Sequence, residues 1–435
     1  MRKYLWIWAG EVLSTVGSAL TSFAMGVWIY QRTDSVSLFS LNLLVYAVLG
    51  LALMPLAGVA ADRWNRKVVI LSADAGSALV TVLVFALVAS GQLKIWHVYV
   101  LTGTGSALST FQWPASKALI PMLVSKAQLG RASALSQIGD ALAELIGPPL
   151  AGSLYVMSGV GLKGILLIDF ITFVLASVIL LAISIPSYSQ ISDKKQKSVM
   201  EDFKQGWRYI TARPGLVGLL VYFLIFNFFL ELIYPLATPL LFQTGSPDSA
   251  GRAMSVMAMG MFVGIAVMGI WGGPKRRMLG ILIPGILSGL LIALAGLRPS
   301  LTLITIGGFG YYALLPLIQG NDQALWQAKV EHAMQGRVLA IRSIVPYSVR
   351  LITLLLAGPL ADDIFEPLMS DNGALADVLG PIFGTGPGRG IGLLITILGL
   401  LSSAAAFITY LYPRIRRVED DIPDALLPVE AEAGI

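Results

Sequence analysis

Cysteine is absent from all 435 residues, and histidine occurs twice, at His97 and His332. The first absence excludes disulfides, thiol nucleophiles and thiolate metal sites. The two histidines stand far apart, each near the end of an apolar run, so both read as solvated loop residues and no metal centre is expected. Charge is scarce as well: Asp, Glu, Lys and Arg make up 13% of the chain, where soluble domains hold roughly 25%. Apolar residues take the space, with 56% hydrophobic side chains and a mean hydropathy of +0.77. Water is not the main solvent of such a chain.

A membrane-crossing helix needs about 20 mostly apolar residues. Twelve such runs are present, at 4–30, 37–61, 67–89, 96–116, 133–157, 162–185, 215–241, 251–271, 279–297, 301–320, 343–361 and 390–412. Backbone groups in hydrocarbon must satisfy one another, and the runs do not alternate over about ten residues as barrel strands do. The fold class is therefore an all-α membrane protein. The first run is too long for a cleavable signal peptide and lacks a small-residue cleavage site, so it is expected to stay as the first span.

Basic residues set the orientation. With both termini in the cytoplasm, 23 Lys and Arg fall on the inner side and 6 on the outer, with Arg350 inside the eleventh span. The net charge of +5 is then a topology signal and needs no nucleic-acid partner. A shift of 211 residues lays Gly58 and Arg66 of GVAADRWNRK on Gly269 and Arg277 of GIWGGPKRRM, and Gly147 and Pro148 on Gly358 and Pro359. Two pseudo-symmetric six-helix halves follow, at 1–185 and 214–417. The polar segment 186–213 joins them; its Val199, Phe203, Trp207 and Ile210 recur at helical spacing and predict an amphipathic helix on the cytoplasmic surface. Residues 418–435 carry Glu419, Asp420, Asp421, Asp424, Glu430 and Glu432 and read as an acidic disordered tail.

Several motifs resemble one family. GVAADRWNRK between the second and third spans is similar to motif A of the major facilitator superfamily, and GPPLAG in the fifth span is similar to the glycine-proline motif of its antiporters. The first span, STVGSALTSFAMGVWIYQRTDS, with EDFKQGWRYITARPGL, QGRVLAIRS and GPLADDIFEPLM, resembles the drug and siderophore exporters related to macrolide efflux proteins. The resemblance implies a major facilitator fold, a central cavity lined by spans 1, 4, 7 and 10, and a cytoplasmic latch between the halves. It places Gly58, Asp62, Arg63 and Arg66 in the gate, with Arg337 or Arg342 as partners of Asp62. The antiporter-like residues are Gly147, Pro148 and Gly152. Physically, Gly58 permits close helix contact, Asp62 suits a helix N-terminus, and the Pro148-Pro149 pair bends or breaks its helix.

Charges at membrane depth must pair, face a cavity or carry a proton. Because the resemblance implies a cavity lined by spans 1, 4, 7 and 10, Glu11 and Glu231 rank first as cavity acids. Asn227 shares a helix face with Glu231, and Gln112 in the fourth span, with Asn321 and Asp322 just after the tenth, offers further polar contacts. Asp140 and Glu144 stand four apart on one helix face, where two carboxylates do not readily ionise together, so they are the next proton candidates. Asp74 and Asp169 lie on spans that the resemblance places outside the cavity, and they are expected to be structural. Arg350 is the counter-charge for one of these acids, without the sequence saying which. Phe226 and Tyr311 are aromatic candidates for substrate contact.

GTGPGRG at 384–390 lacks the ending of a phosphate loop and follows no strand, so it reads as a flexible outer loop, and ATP is not expected as energy source. No nucleophile, base and orienting group share a recognisable spacing, so an enzyme is not expected. The expectation is a secondary transporter of the bacterial cytoplasmic membrane, monomeric and free of cofactors. It would export an amphipathic small molecule, such as a drug, a macrolide-like compound or a siderophore, in exchange for protons. The alternatives are a facilitator or uptake symporter and, from another class, a sensor or lipid-handling scaffold.

Overall fold

A computed structural model describes residues 1–125, 128–157, 159–184 and 199–423. All regular structure among these is helical: α1 (Arg2–Thr33), α2 (Val36–Arg63), α3 (Arg66–Ala89), α4 (Ile95–Leu123), α5 (Leu129–Val156), α6 (Gly161–Ala182), α7 (Val199–Thr211), α8 (Pro214–Thr244), α9 (Pro247–Trp271), α10 (Arg277–Gly296), α11 (Leu301–Lys329) and α12 (His332–Pro359). A π-helical turn (Leu360–Phe365) then leads to α13 (Glu366–Met369), α14 (Ala376–Phe383), α15 (Arg389–Leu411), α16 (Pro413–Arg416) and α17 (Val418–Asp421). Helices α1, α2, α3, α6, α8, α9, α10, α11 and α15 are long and apolar enough to cross a membrane by length and composition. Helices α4, α5 and α12 are of similar length, 29, 28 and 28 residues.

Polar residues punctuate the apolar runs. Asp34 closes α1 in the left-handed region at φ 50°, and Ser35 caps α2 by accepting the Leu38 N–H at 3.2 Å. Asn65 accepts the Lys67 N–H at 3.0 Å to start α3, and Ser300 does the same for Leu303 at the start of α11. These side chains satisfy amides that a helix start leaves open. Large apolar side chains such as Leu79, Val178, Ile270 and Ile408 are exposed, as expected where lipid is the solvent.

The chain divides into two compact units, Met1–Asp193 with Gly245–Ser255, and Lys194–Thr244 with Val256–Ile435. In the first, α1 packs on α5 and α6, α2 on α4, and α3 on α4 and α6. In the second, α8 packs on α12 and α15, and α10 on α11 and α15. Glycines 260 and 264 bring α9 against the carbonyls of Phe309 and Ala313 in α11. The same set of helix pairings thus occurs twice, in the order that the repeat of Gly58 and Arg66 in Gly269 and Arg277 foreshadows.

Several expectations need correction. Asn321 and Asp322 do not follow the tenth span. They lie inside α11, 0% and 3% exposed, because the helix runs on past the apolar stretch that marked its end. The Pro148-Pro149 pair does not break its helix: α5 continues through both, as membrane helices allow when neighbours re-satisfy the freed carbonyls. Among the described residues nothing lies within 4 Å of a Cβ built on Gly58, so the close helix contact expected there is not found among them. The acidic end opens on a packed turn, with Val418 at 0% and Ile422 at 8% exposure in the core of the second unit; residues 424–435 lie outside the described residues. Helix α7 packs on α12 and buries Ile210, while Phe203 and Trp207 stack on each other, exposed, at 6.5 Å. Residues 186–198 lie outside the described residues.

Candidate functional site

In the first unit, α4 gathers the acids. Gln112 Nε2 donates to Asp74 Oδ1 at 2.8 Å, and Ser116, one turn further on, donates to Glu11 Oε1. Gln112 is therefore engaged with a carboxylate of its own unit. Asp169 of α6 is the acceptor of three hydroxyls: Thr21 at 2.9 Å, Thr81 at 3.0 Å and Ser18 at 3.4 Å. It fastens α6 to α1 and α3. Gly17 makes this possible, because a Cβ there would strike Thr172 and crowd Asp169. Lys117, next to Ser116, donates to Ser136 of α5. The side chains of Asp140 and Glu144 lie outside the described residues.

In the second unit the acids face arginines. Glu231 of α8 meets Arg350 of α12 at 3.8 Å, with side chains 24% and 38% exposed, and the Arg350 guanidinium stands 5.6 Å from the Tyr234 ring. Of the acids that the sequence left open as partners of Arg350, Glu231 is the one found opposite it among the described residues. Asp322 pairs with Arg342, whose other nitrogen reaches Gln323. Arg342, expected as a partner of Asp62, makes these contacts within its own unit. Asn227 donates back to the Phe223 carbonyl at 2.7 Å and is held on its own helix. Phe226, expected to touch substrate, is 2% exposed in the core and stacks on Tyr222 at 5.7 Å. Gly285 leaves room there for the Tyr222 hydroxyl and the edge of the Phe226 ring. Tyr311 is half-buried against Tyr312 at 5.2 Å.

The expected gate is partly outside the described residues, since this holds for the side chains of Asp62 and Arg63. Arg66 Nη1 donates to the Ala118 carbonyl at 2.8 Å and approaches Met122 Sδ at 3.0 Å, tying α3 to the end of α4. Its repeat partner Arg277 donates to the Gly272 carbonyl. Arg337 lies 3.4 Å from Met334 Sδ. In the antiporter-like motif, a Cβ on Gly147 would lie 2.6 Å from Ala19 Cβ, and one on Gly152 would lie 3.1 Å from Gly251 Cα. The two glycines bring α5 against α1 and against the first turns of α9. Among the described residues no group of three or more His, Cys, Asp or Glu could hold a metal ion.

Sequence reasoning missed two carboxylates that act at helix ends. Glu419 accepts the N–H groups of Arg277 and Met278 at 2.8 and 2.9 Å, and Glu366 accepts those of Gly388 and Ile391 at 3.1 and 2.9 Å. Each sits at a helix start whose own sequence supplies no acid, and that lack is the one available signal. The GTGPGRG loop is accordingly tied down by Glu366.

Residues 7–354 match the family model described as Major Facilitator Superfamily. The chain belongs to this superfamily and is an integral membrane transporter of it. It is 26% identical over 381 residues to macrolide efflux protein A of Streptococcus pyogenes, covering 83% of this chain and 90% of the relative. It is 26% identical over 340 residues to the enterobactin exporter EntS of Shigella boydii serotype 4, covering 76% and 79%. Among solved structures it is similar to a bacterial homolog of the human lysosomal transporter Spinster, with TM-score 0.67 at 15% identity over 98% of both chains. It is also similar to a bacterial homologue of the iron transporter ferroportin, with TM-score 0.66 at 13% identity over 94% and 98%. At such identities these structures speak for the fold alone.

Proposed function

We propose that this transporter exports an amphipathic small molecule, of the macrolide or siderophore kind, in exchange for protons. The observation that carries the reading is the set of carboxylates at membrane depth, Glu11, Asp74, Asp169, Glu231 and Asp322, each engaged by named polar partners. A protein that only scaffolds has little use for so many costly groups. The efflux proteins among its relatives support outward direction. In this reading the two units alternate access to a site. Glu231 with Arg350 offers a paired charge for polar parts of the substrate, and the first-unit acids carry the coupling proton. Both termini lie in the cytoplasm of a bacterial cell, the monomer is the working form, and no cofactor takes part.

Reconstitution in vesicles that hold a pH-sensitive dye tests this, with a panel of macrolides and siderophores added under an imposed proton gradient. Substrate-dependent proton movement that disappears in Glu11→Gln is the expected result. Substrate flux with no proton movement would instead indicate a facilitator, and no flux across the panel would count against the substrate class.

A further inference from the structure

Asp74 is the acid whose surroundings least resemble a structural contact. It is 2% exposed on α3, and its partners are neutral: Gln112 of α4 at 2.8 Å, and Ser177 of α6 on the same carboxyl. No cation is paired with it among the described residues. Among the described residues the charged group that acts on it electrostatically is another acid, Glu11 of α1. Gln112 and Ser116 are one turn apart on a single face of α4, so this helix presents Asp74 and Glu11 side by side. Glu11 is half-exposed and Asp74 buried. The pair therefore has an outer and an inner member.

The neighbouring ionisable groups are otherwise occupied. Lys117 of α4 donates to Ser136, Arg66 of α3 reaches the Ala118 carbonyl, and Asp169 of α6 is filled by three hydroxyls. The side chains of Asp62 and Arg63 on α2, and of Asp140 and Glu144 on α5, lie outside the described residues. Two adjacent carboxylates in a low-dielectric surrounding repel when both are ionised, and one proton shared between them removes that repulsion. Glu231 lacks this instability because Arg350 faces it.

We propose that Asp74, with Glu11 as its partner, is the carboxylate that takes up and releases the coupling proton in the first unit. The proposal rests on the proton-exchange reading above and names its residue. A proton arriving from water binds a carboxylate oxygen of Glu11, the outer member, and passes to Asp74. The pair then carries one negative charge in place of two until the proton leaves. Asp169, equally buried but saturated by hydroxyl donors, holds helices together.

Infrared difference spectra of the full-length protein in vesicles, acid minus alkaline, read the carbonyl stretch of a protonated carboxyl directly and need no substrate. A titrating band is expected in the wild type. It should vanish in Asp74→Asn, return in Asp74→Glu, shift its midpoint in Glu11→Gln and persist in Asp169→Asn. Asn is isosteric and still accepts from Gln112, and the Glu variant guards against misreading a folding failure. A band unchanged in Asp74→Asn, while the wild type exchanges protons for substrate in the dye vesicles, would overturn this assignment and leave the exchange reading standing. A band that behaves as expected while wild-type flux moves no protons would overturn the exchange reading, and the coupling role with it.

Discussion

The two units repeat their helix pairings but hold their buried acids in opposite ways. In the first, Asp74 and Asp169 rest on amide and hydroxyl donors; in the second, Asp322 and Glu231 face guanidiniums. An arginine supplies its partner with a counter-charge, whereas amide and hydroxyl donors hold a carboxylate by hydrogen bonds alone. One unit thus holds Asp74 and Asp169 by hydrogen bonds, and the other holds Asp322 and Glu231 against cations. The contrast extends to the repeated loop between the second and third helices of each unit. In the first, Asn65 caps α3 from within the loop. In the second, the place of Asp62 is taken by Gly273, which with Gly272 has positive φ, and the acid comes from Glu419 at the far end of the chain.

Removing a cation should break the comparison most severely. Arg342→Ala leaves Asp322, whose side chain is 4% exposed, without its counter-charge, and loss of one partner of a buried pair costs about 3–5 kcal/mol. Asp169→Asn in the first unit keeps an acceptor for the hydroxyls and removes only charge, so the cost is expected to be about 1 kcal/mol. Thermal unfolding in detergent measures both. Equal losses would refute the claim that the two units treat charge differently.

A middle-sized effect concerns the borrowed cap. Glu419→Ala leaves the Arg277 and Met278 amides without their acceptor, which costs about 1 kcal/mol. Lys329 stays in place, because it donates to the Glu419 and Ile422 carbonyls and not to the carboxylate. Faster hydrogen exchange confined to the start of α10 is the expected signature. If Lys67 at the start of α3 changed equally, the loops of the two units would not be separately held.

How much of this was legible in the sequence follows from range. The apolar runs and their repeat come from local composition, and they foretell all-helical structure and the twofold pairing of helices. Glu11 and Glu231 stood out because an acid in an apolar run is visible by itself. Their partners did not, because Ser116 lies 105 positions from Glu11 and no local pattern links the two. Asp322 was misplaced because α11 continues through Asn321, Asp322 and Gln323, where the apolar signal stops but the helix does not. Phe226 looked like a ligand contact because aromatic residues cluster around it; which of them faces the core depends on Gly285, in another helix. Glu366 and Glu419 were missed because a cap supplied from a distant segment leaves only the absence of an acid at the helix it caps.

The smallest effect tests the other borrowed cap, Glu366 at the start of α15. Burial pushes its carboxyl above the ordinary glutamate range, the Ile391 and Gly388 amides and the Arg389 charge pull it back, and Asp362 adds to the rise. A carboxyl raised in the folded state binds its proton more tightly there than in the unfolded chain. Its contribution is therefore fully present below the ordinary value of 4.5 and is lost as pH climbs through the raised one. Glu366→Gln removes this dependence while an amide oxygen still accepts from the α15 amides. The wild type should lose stability relative to the variant as pH rises from about 4 to about 7, by less than about 1 kcal/mol. Paired melting curves across that range read the difference, and the opposite slope would mean that the two amides and Arg389 outweigh burial.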